Sequence, residues 1–137
     1  MAVDTSVAIP LLSTGHPAHE QVNAWVSGRS LSIPSHALAE TYSVLTRLPG
    51  DARLSPRDAV ALIDASFPEV LPQEPARQQA IHRDLAARGI AGGAVYDGLI
   101  GTVARDHGLR LLTRDARARA TYEAVGATVQ LLTTAAP

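Results

Sequence analysis

The sequence predicts an α/β fold in which a central, mainly parallel sheet is flanked by helices. Short apolar runs alternate with longer segments of helical spacing along all 137 residues, an order typical of parallel strands connected by helices. The chain is long enough to bury its own core without disulfides, and it contains no cysteine. No repeat or low-complexity linker divides it, so we expect a single domain over residues 1–137.

Hydroxyl side chains mark the predicted helix starts in the first half of the chain. Thr5 or Ser6 is placed to cap the helix that follows the opening apolar run. Ser35 caps a later helix, and Ser55 followed by Pro56 begins the next one. The predicted elements of this half are strands at residues 1–3, 31–33 and 70–71, and helices at residues 5–12, 17–26, 35–48 and 55–66.

Glycines mark the predicted helix ends in the second half. Gly89, Gly108 and Gly126 each follow a segment of helical spacing, and glycine is common just beyond a helix C-terminus because it accepts a left-handed backbone. The predicted elements here are helices at residues 75–88, 94–107 and 116–125, and strands at residues 111–113 and 128–132.

Four acidic residues lie where such a fold can bring functional groups together. Asp4 and Asp115 each follow a predicted strand, and ligand sites of open α/β sheets gather beyond the carboxyl ends of strands. Glu40 lies on a polar line of its helix, and Asp97 lies at the start of another helix. Carboxylates crowded into one pocket repel each other unless a cation lies between them, and Mg²⁺ is a natural occupant.

Each acid also has an ordinary structural explanation. Asp4 and Asp115 are placed as helix N-caps, and Glu40 can belong to a solvated helix face. The helix dipole favours an acid such as Asp97 in a first turn. The two acids at strand ends converge only if their strands are neighbours, and the spacing leaves that open.

Composition favours a cytoplasmic protein and bears only slightly on the ligand. No run of about 18 apolar residues exists, and no basic stretch leads into an apolar one at the N-terminus, so we expect neither a membrane span nor a secretory signal. All 12 cationic residues are arginine, which binds phosphate with two parallel hydrogen bonds. A GC-rich genome explains the same bias, so a nucleic-acid ligand is only slightly favoured.

Other motifs indicate less. In the stretch His16-x-x-His19-Glu20 the two histidines have a spacing that a transition metal can use, but no third ligand of a suitable type lies nearby in the sequence. No glycine-rich phosphate-binding motif is present, and the absence of cysteine excludes thiol catalysis. Trp25 is interpreted as a core or dimer contact.

Four stretches of the chain, each containing one of the acids, occur in a characteristic order and spacing. They read Val3-Asp4-Thr5-Ser6-Val7, Ala39-Glu40, Tyr96-Asp97-Gly98-Leu99-Ile100 and Leu111-Leu112-Thr113-Arg114-Asp115. Together they resemble the acidic motifs of PIN-domain ribonucleases, most closely the VapC toxins of bacterial type II toxin–antitoxin pairs. The resemblance covers the whole chain, and residues 16–19 and 120–126 are similar to stretches of mycobacterial members. One departure is Ala118, where many members carry an aromatic residue, and it puts the packing of the last helix in doubt.

The resemblance implies a PIN-like three-layer fold and an endoribonuclease that depends on Mg²⁺ or Mn²⁺. A metal-activated water would hydrolyse RNA phosphodiester bonds. By resemblance, Asp4 and Asp97 are the main metal ligands, and Glu40 and Asp115 complete the cluster directly or through water.

Supporting residues and partners also follow from the resemblance. Ser6 and Thr113 would hold carboxylates or the water in place, and Arg47, Arg114 and Arg117 would contact RNA phosphates. The expected partners are an RNA substrate, a cognate VapB-like antitoxin and a second copy of the chain, in a toxin–antitoxin hetero-oligomer, with no membrane partner.

Two alternatives stay open. A PIN domain without catalytic activity would act only as a module that binds RNA or protein. A phosphatase of the haloacid dehalogenase type would use Asp4 as nucleophile, but it predicts a second aspartate two positions later, where Ser6 stands.

Overall fold

A computed structural model describes residues 1–133 and confirms the predicted fold class, with one five-stranded sheet flanked by seven α-helices in that part of the chain. The strands are β1 (Ala2–Val3), β2 (Ser32–Pro34), β3 (Glu69–Leu71), β4 (Leu111–Thr113) and β5 (Val129–Leu131). The helices are α1 (Thr5–Leu12), α2 (His19–Val26), α3 (Ser35–Leu45), α4 (Pro56–Ser66), α5 (Pro75–Ala87), α6 (Ala94–Asp106) and α7 (Ala116–Ala124). A short 3₁₀ turn covers Gly50–Ala52.

The sheet is parallel throughout, with the strand order β3-β2-β1-β4-β5. Ala2 pairs with Leu111 and Val3 pairs with Leu112, so β1 and β4 are direct neighbours. The chain builds outward from β1 to β3 and then returns to the other side of β1. In such sheets the crevice for a ligand lies at the carboxyl ends of the strands where the order reverses, here β1 and β4.

The central strands are buried on both faces. Val3, Ile33, Leu111 and Leu112 are each 0% exposed and belong to the main apolar core. Burial on both faces explains why these strands read as short continuous apolar runs without polar alternation. Among residues 1–133, no helix has the length and apolar character to cross a membrane.

Two predicted helix caps are wrong. Asp4, and neither Thr5 nor Ser6, caps α1, and its side chain accepts a hydrogen bond from the Val7 N–H. Ser35 is the first residue of α3 and does not cap it, because β2 runs directly into the helix through Pro34. Caps depend on how the chain enters the helix, and that geometry is set by the sheet.

The end of α3 also differs from the prediction. The helix ends at Leu45 and not at residue 48, and a 3₁₀ turn that was not predicted follows. The hydroxyl of Thr46 donates to the carbonyl oxygens of Tyr42 and Ser43, at 2.9 and 3.2 Å. Such bonds compete with the helical hydrogen bonds of the backbone and favour termination at this point.

Candidate active site

The structure brings all four predicted acids to one cavity. Asp4, Glu40, Asp97 and Asp115 line a space of about 130 Å³ beyond the carboxyl ends of β1 and β4. Asp4 follows β1 directly, and Asp115 lies two residues after β4, so the pairing of these two strands makes their carboxylates converge. Glu40 reaches the cavity from α3, and Asp97 reaches it from the first turn of α6. The remaining lining residues are Thr5, Ser6, Ile100, Ala118 and Tyr122.

Asp4 is the most enclosed of the four acids, with 2% of its surface exposed. Its Oδ1 accepts hydrogen bonds from the Ser6 hydroxyl at 2.6 Å and the Val7 N–H at 3.2 Å. Its Oδ2 accepts from the Thr113 hydroxyl at 2.5 Å and the Tyr122 hydroxyl at 2.9 Å. Burial raises the pKa of Asp4, and these hydrogen bonds oppose that rise by stabilising the charged form.

Ser6 and Thr113 hold two parts of the chain together at this carboxylate. The Ser6 hydroxyl accepts from the Arg114 N–H at 2.7 Å, and the Thr113 hydroxyl accepts from the Asp115 N–H at 3.0 Å. Each hydroxyl therefore contacts Asp4 and also the turn between β4 and α7. The start of α1 and the start of α7 are fixed relative to each other through these two side chains.

Glu40 is held from two sides. The Thr5 hydroxyl donates to its Oε2 at 2.7 Å, and His36 Nε2 lies 3.0 Å from its Oε1. His36 and Glu40 are four residues apart and lie on one face of α3, whereas the contact with Thr5 joins segments 35 residues apart and had no local signal. The His36 ring also stacks on Tyr96, with 5.4 Å between ring centroids and 6° between planes.

Asp115 combines a structural and a site position. Its Oδ1 accepts from the N–H groups of Arg117 and Ala118, at 2.8 and 3.4 Å, and so caps α7. The residue is exposed to solvent and still lines the cavity. The helix-cap interpretation of Asp115 is therefore correct, and it does not exclude a place at the cavity.

The pKa of Asp97 is shifted by burial and by the neighbouring carboxylates. Burial raises the pKa of Asp97 to about 6, with further contributions from the charges of Asp115, Glu40 and Asp4, opposed by His36. Within residues 1–133, the Asp97 carboxylate accepts no hydrogen bond. Asp97 is thus the acid whose charge is least compensated by the protein itself.

The donor set fits a hard divalent cation by its chemistry, because four carboxylates supply only oxygen ligands. In their present positions, however, the acidic and histidine side chains of residues 1–133 form no group of three or more that is close enough to hold a metal ion. Asp4, one of the expected ligands, already accepts four hydrogen bonds through its two oxygens. A bound cation would have to compete with these donors.

Tyr122 is the site residue that sequence reasoning missed. It is 1% exposed, lies one turn after Ala118 on α7 and donates its hydroxyl to Asp4. Ala118 itself is 3% exposed and lines the cavity, so the departure from the family pattern lies in the interior beside the four acids. The available signal was the spacing of four between residues 118 and 122, which places both on one face of a helix.

Gly101 lets Tyr122 reach the site. A Cβ built on Gly101 would lie 2.7 Å from Val125 Cγ2 and 3.2 Å from the Tyr122 Cα. Only glycine allows α6 and α7 to approach this closely. Gly101 and Ala104 are small residues three positions apart on α6, and Gly101 lies against α7.

The three predicted arginines do not line the cavity. Arg47 is exposed beyond the end of α3, and Arg114 and Arg117 lie on either side of Asp115 in sequence. The histidine pair makes local contacts instead: His16 Nδ1 lies 3.0 Å from the Ala18 N–H, and His19 Nδ1 lies 2.8 Å from the Pro10 carbonyl oxygen. Both rings thus contact backbone groups at or near the connection between α1 and α2.

A parallel sheet with acids gathered at the switch between β1 and β4 is the arrangement expected of a PIN domain. The chain belongs to the PIN domain family, whose profile matches residues 1–124. It is 52% identical over 126 residues to Ribonuclease VapC27 of Mycobacterium tuberculosis, covering 92% of each chain. It is 39% identical over 134 residues to Ribonuclease VapC40 of the same species, covering 97% of this chain and 99% of that one.

Solved structures share the fold. The crystal structure of M. tuberculosis VapC20, described as a sarcin–ricin loop cleaving toxin, has a TM-score of 0.64 and 22% identity over 87% of this chain and 92% of that chain. VapBC2 of Rickettsia felis, bound to a fragment of promoter DNA, has a TM-score of 0.66 and 12% identity over 96% of this chain and 98% of that chain. At these identities the likeness supports the fold alone.

Proposed function

We propose that the protein is the toxin of a type II toxin–antitoxin pair and acts as an endoribonuclease that depends on Mg²⁺ or Mn²⁺. The observation that carries the proposal is the cavity lined by four carboxylates, in which the pKa of Asp97 is raised to about 6 by burial and by the other acids. Uncompensated negative charge favours a cation. The names of the two M. tuberculosis relatives support ribonuclease activity, at 52% and 39% identity.

In this proposal Asp4 and Asp97 hold the metal, and Glu40 and Asp115 complete the cluster directly or through water. The bound ion would activate water for attack on a phosphodiester and stabilise the charge that develops there. Ser6, by its contact with Asp4, keeps one ligand in a fixed orientation, and a ligand that is already oriented binds at a lower entropic cost.

The other buried contacts have matching roles in the proposal. Thr113 and Tyr122 orient Asp4 through its Oδ2, whereas Ser6 binds Oδ1, and Thr5 and His36 orient Glu40. Cleavage by an activated water would leave 5′-phosphate and 3′-hydroxyl ends.

We propose that the whole chain, residues 1–137, forms one domain that acts in the cytoplasm. The sheet supports a single domain because its strands extend from residue 2 to residue 131.

Arg114 and Arg117 are proposed to contact phosphates on either side of the cut, because they flank Asp115 in sequence and Arg117 is exposed. Arg47 is proposed as a more distant phosphate contact. It is exposed and lies two residues beyond the C-terminal end of α3, the helix that carries Glu40.

We further propose that a cognate VapB-like antitoxin silences the enzyme and that the toxin pairs as a homodimer within the hetero-oligomer. A basic side chain of the antitoxin would bind the four carboxylates and exclude the metal. An apolar groove of about 250 Å³ between α3 and α4, lined in part by Leu38, Tyr42 and Val60, could receive the rest of the antitoxin tail. Leu12 is 7% exposed and lines a separate groove of about 620 Å³, and Leu11 is partly exposed.

A cleavage assay tests the proposal. Purified wild-type protein is incubated with total RNA in millimolar Mg²⁺ or Mn²⁺, with EDTA as the control, and the product ends are mapped. We expect cleavage with metal, none with EDTA and none by Asp97→Asn. Asp97 suits this test better than Asp4 because Asp4 accepts four hydrogen bonds that support the fold. RNA that is bound but not cut in every metal condition would instead favour an inactive binding module.

A further inference from the structure

An aromatic pair borders the acidic cavity. The ring of Tyr96 stacks on the ring of His36, with 5.4 Å between centroids and 6° between planes. Although His36 covers one face of the ring, Tyr96 remains 55% exposed. The other face of a flat, oriented aromatic ring is therefore open to solvent.

The pair connects directly to two acids of the site. Tyr96 immediately precedes Asp97 at the start of α6, and His36 contacts Glu40 through its Nε2 at 3.0 Å. The stack thus bridges α3 and α6 at the rim of the cavity. Among the large hydrophobic residues that are exposed within residues 1–133, namely Val60, Val70 and Tyr96, the tyrosine alone adjoins a cavity acid in sequence and carries a ring.

The segment that leads into α6, the helix of Tyr96, carries no bulky side chain. Residues 91–93, which precede α6, are exposed and consist of one alanine and two glycines. A Cβ built on Gly92 or Gly93 would meet no atom within 4 Å. The space next to these two glycines, three or four residues before Tyr96, is therefore open.

We propose that Tyr96 is a stacking platform for a nucleobase of single-stranded RNA next to the phosphodiester that is cut. This inference rests on the proposed ribonuclease function and adds a substrate-binding residue to it. Every base has a flat face, so stacking on an aromatic ring gives affinity with little dependence on sequence. His36 lies behind the ring, holds it parallel and extends the stack on the protein side.

The platform requires an unpaired base. A base paired in a duplex is already stacked on its neighbours, so a protein ring competes poorly for it. Tyr96 would therefore add affinity only where a base next to the cut phosphodiester has a free face.

Binding of two uncut probes tests the platform. One probe is a fluorescein-labelled 2′-O-methyl RNA decamer of random sequence, and the other has the same backbone without bases. Fluorescence anisotropy in Mg²⁺ gives the affinity of each probe for the wild type, Tyr96→Phe and Tyr96→Leu, and a gel verifies that the probes stay intact. Tyr96→Leu is the matched control because it keeps an apolar side chain and removes the ring.

We expect wild type and Tyr96→Phe to prefer the probe that carries bases. Tyr96→Leu should bind that probe about 5- to 150-fold more weakly and bind the abasic probe with unchanged affinity. Equal weakening for both probes, or no preference for bases in the wild type, would overturn the platform. If Tyr96→Leu does not fold by circular dichroism, Tyr96→Trp decides: tighter binding of the base-carrying probe alone supports stacking, and unchanged binding overturns it.

The same proteins separate this inference from the proposed function. Cleavage of total RNA by the wild type without any preference for the probe with bases would overturn the platform and leave the ribonuclease function intact. Preference for bases without cleavage under any metal condition would overturn the ribonuclease function and leave a base-stacking RNA-binding surface.

Discussion

Tyr122 donates its hydroxyl to Asp4 Oδ2 at 2.9 Å, joining residues 118 positions apart in the sequence. Tyr122 is 1% exposed, and burial together with the nearby acids raises its pKa, so the phenol stays protonated and remains a donor. The bond links the last helix to the first strand end. It therefore serves both the stability of the fold and the orientation of a proposed metal ligand.

Removing this hydroxyl tests the link. Tyr122→Phe should lower the free energy of unfolding by about 1–3 kcal/mol, because a buried carboxylate loses one of its four donors. Urea unfolding monitored by circular dichroism measures the change. Tyr42→Phe is the matched control, since within residues 1–133 the Tyr42 hydroxyl donates to no group. Equal losses in both variants would contradict a specific role for the bond to Asp4.

The raised pKa of Asp97 predicts how the stability of the metal-free protein depends on pH. Because its folded pKa of about 6 lies above the ordinary 3.8, the folded state binds this proton more tightly than the unfolded state. This contribution to stability is complete below about pH 4 and is lost as the pH rises through 6. The loss should be about 1 kcal/mol, less than the full shift implies, because solvent partly screens the residue.

Asp97→Asn should remove this part of the pH dependence and raise the stability of the metal-free protein at neutral pH. Thermal unfolding in EDTA at pH 5 and pH 7 measures both effects. Asp64→Asn provides the control, since Asp64 is an exposed acid on α4 outside the cavity. If the difference in stability between pH 5 and pH 7 were the same in Asp97→Asn as in the wild type, the carboxylates would not interact as described.

Metal binding should stabilise the folded state. A ligand that binds only the folded state at about 100 times its dissociation constant adds about 2.7 kcal/mol. We expect millimolar Mn²⁺ to raise the Tm of the wild type relative to EDTA and to have much less effect on Asp97→Asn. His16→Ala should respond as the wild type does, because the histidine pair is outside the cavity. If the rise in Tm with Mn²⁺ were lost in His16→Ala and kept in Asp97→Asn, the metal would bind at the histidine pair and not in the acidic cavity.

Gly101 predicts an exception to a general rule. Alanine usually stabilises a helix interior relative to glycine by about 0.5–1 kcal/mol. At position 101 the new Cβ would lie 3.2 Å from the Tyr122 Cα, which is backbone and cannot simply rotate away. Gly101→Ala should therefore destabilise the protein by about 1–3 kcal/mol, measured by urea unfolding.

Gly98→Ala on the same helix is the comparison for Gly101→Ala. Its Cβ would meet the Leu85 Cδ2 at 2.7 Å, at the flexible end of a side chain that can adjust. Gly98→Ala should therefore lower the free energy of unfolding clearly less than Gly101→Ala does. A larger loss at Gly98 than at Gly101 would contradict the account of how α6 and α7 pack.

Local patterns in the sequence determined the class of fold and the residues of interest. The runs at residues 1–3 and 111–112 are continuously apolar because the strands are buried on both faces, and the acids after them agree with the position of ligand sites in parallel sheets. Ser55 was recognised as a cap because a cap bonds to a backbone group only three residues away. These signals depend on neighbours in the chain.

Tertiary structure alone decided which of these residues meet. The pairing of β1 with β4 makes Asp4 and Asp115 converge, and it depends on packing between segments more than 100 residues apart. The contacts of Thr5 with Glu40 and of Tyr122 with Asp4 arise in the same way. The pKa of Asp97 follows from burial and from charges on three other elements. Periodicity carries no information about such distances, because they are set by how helices and strands pack after each has formed.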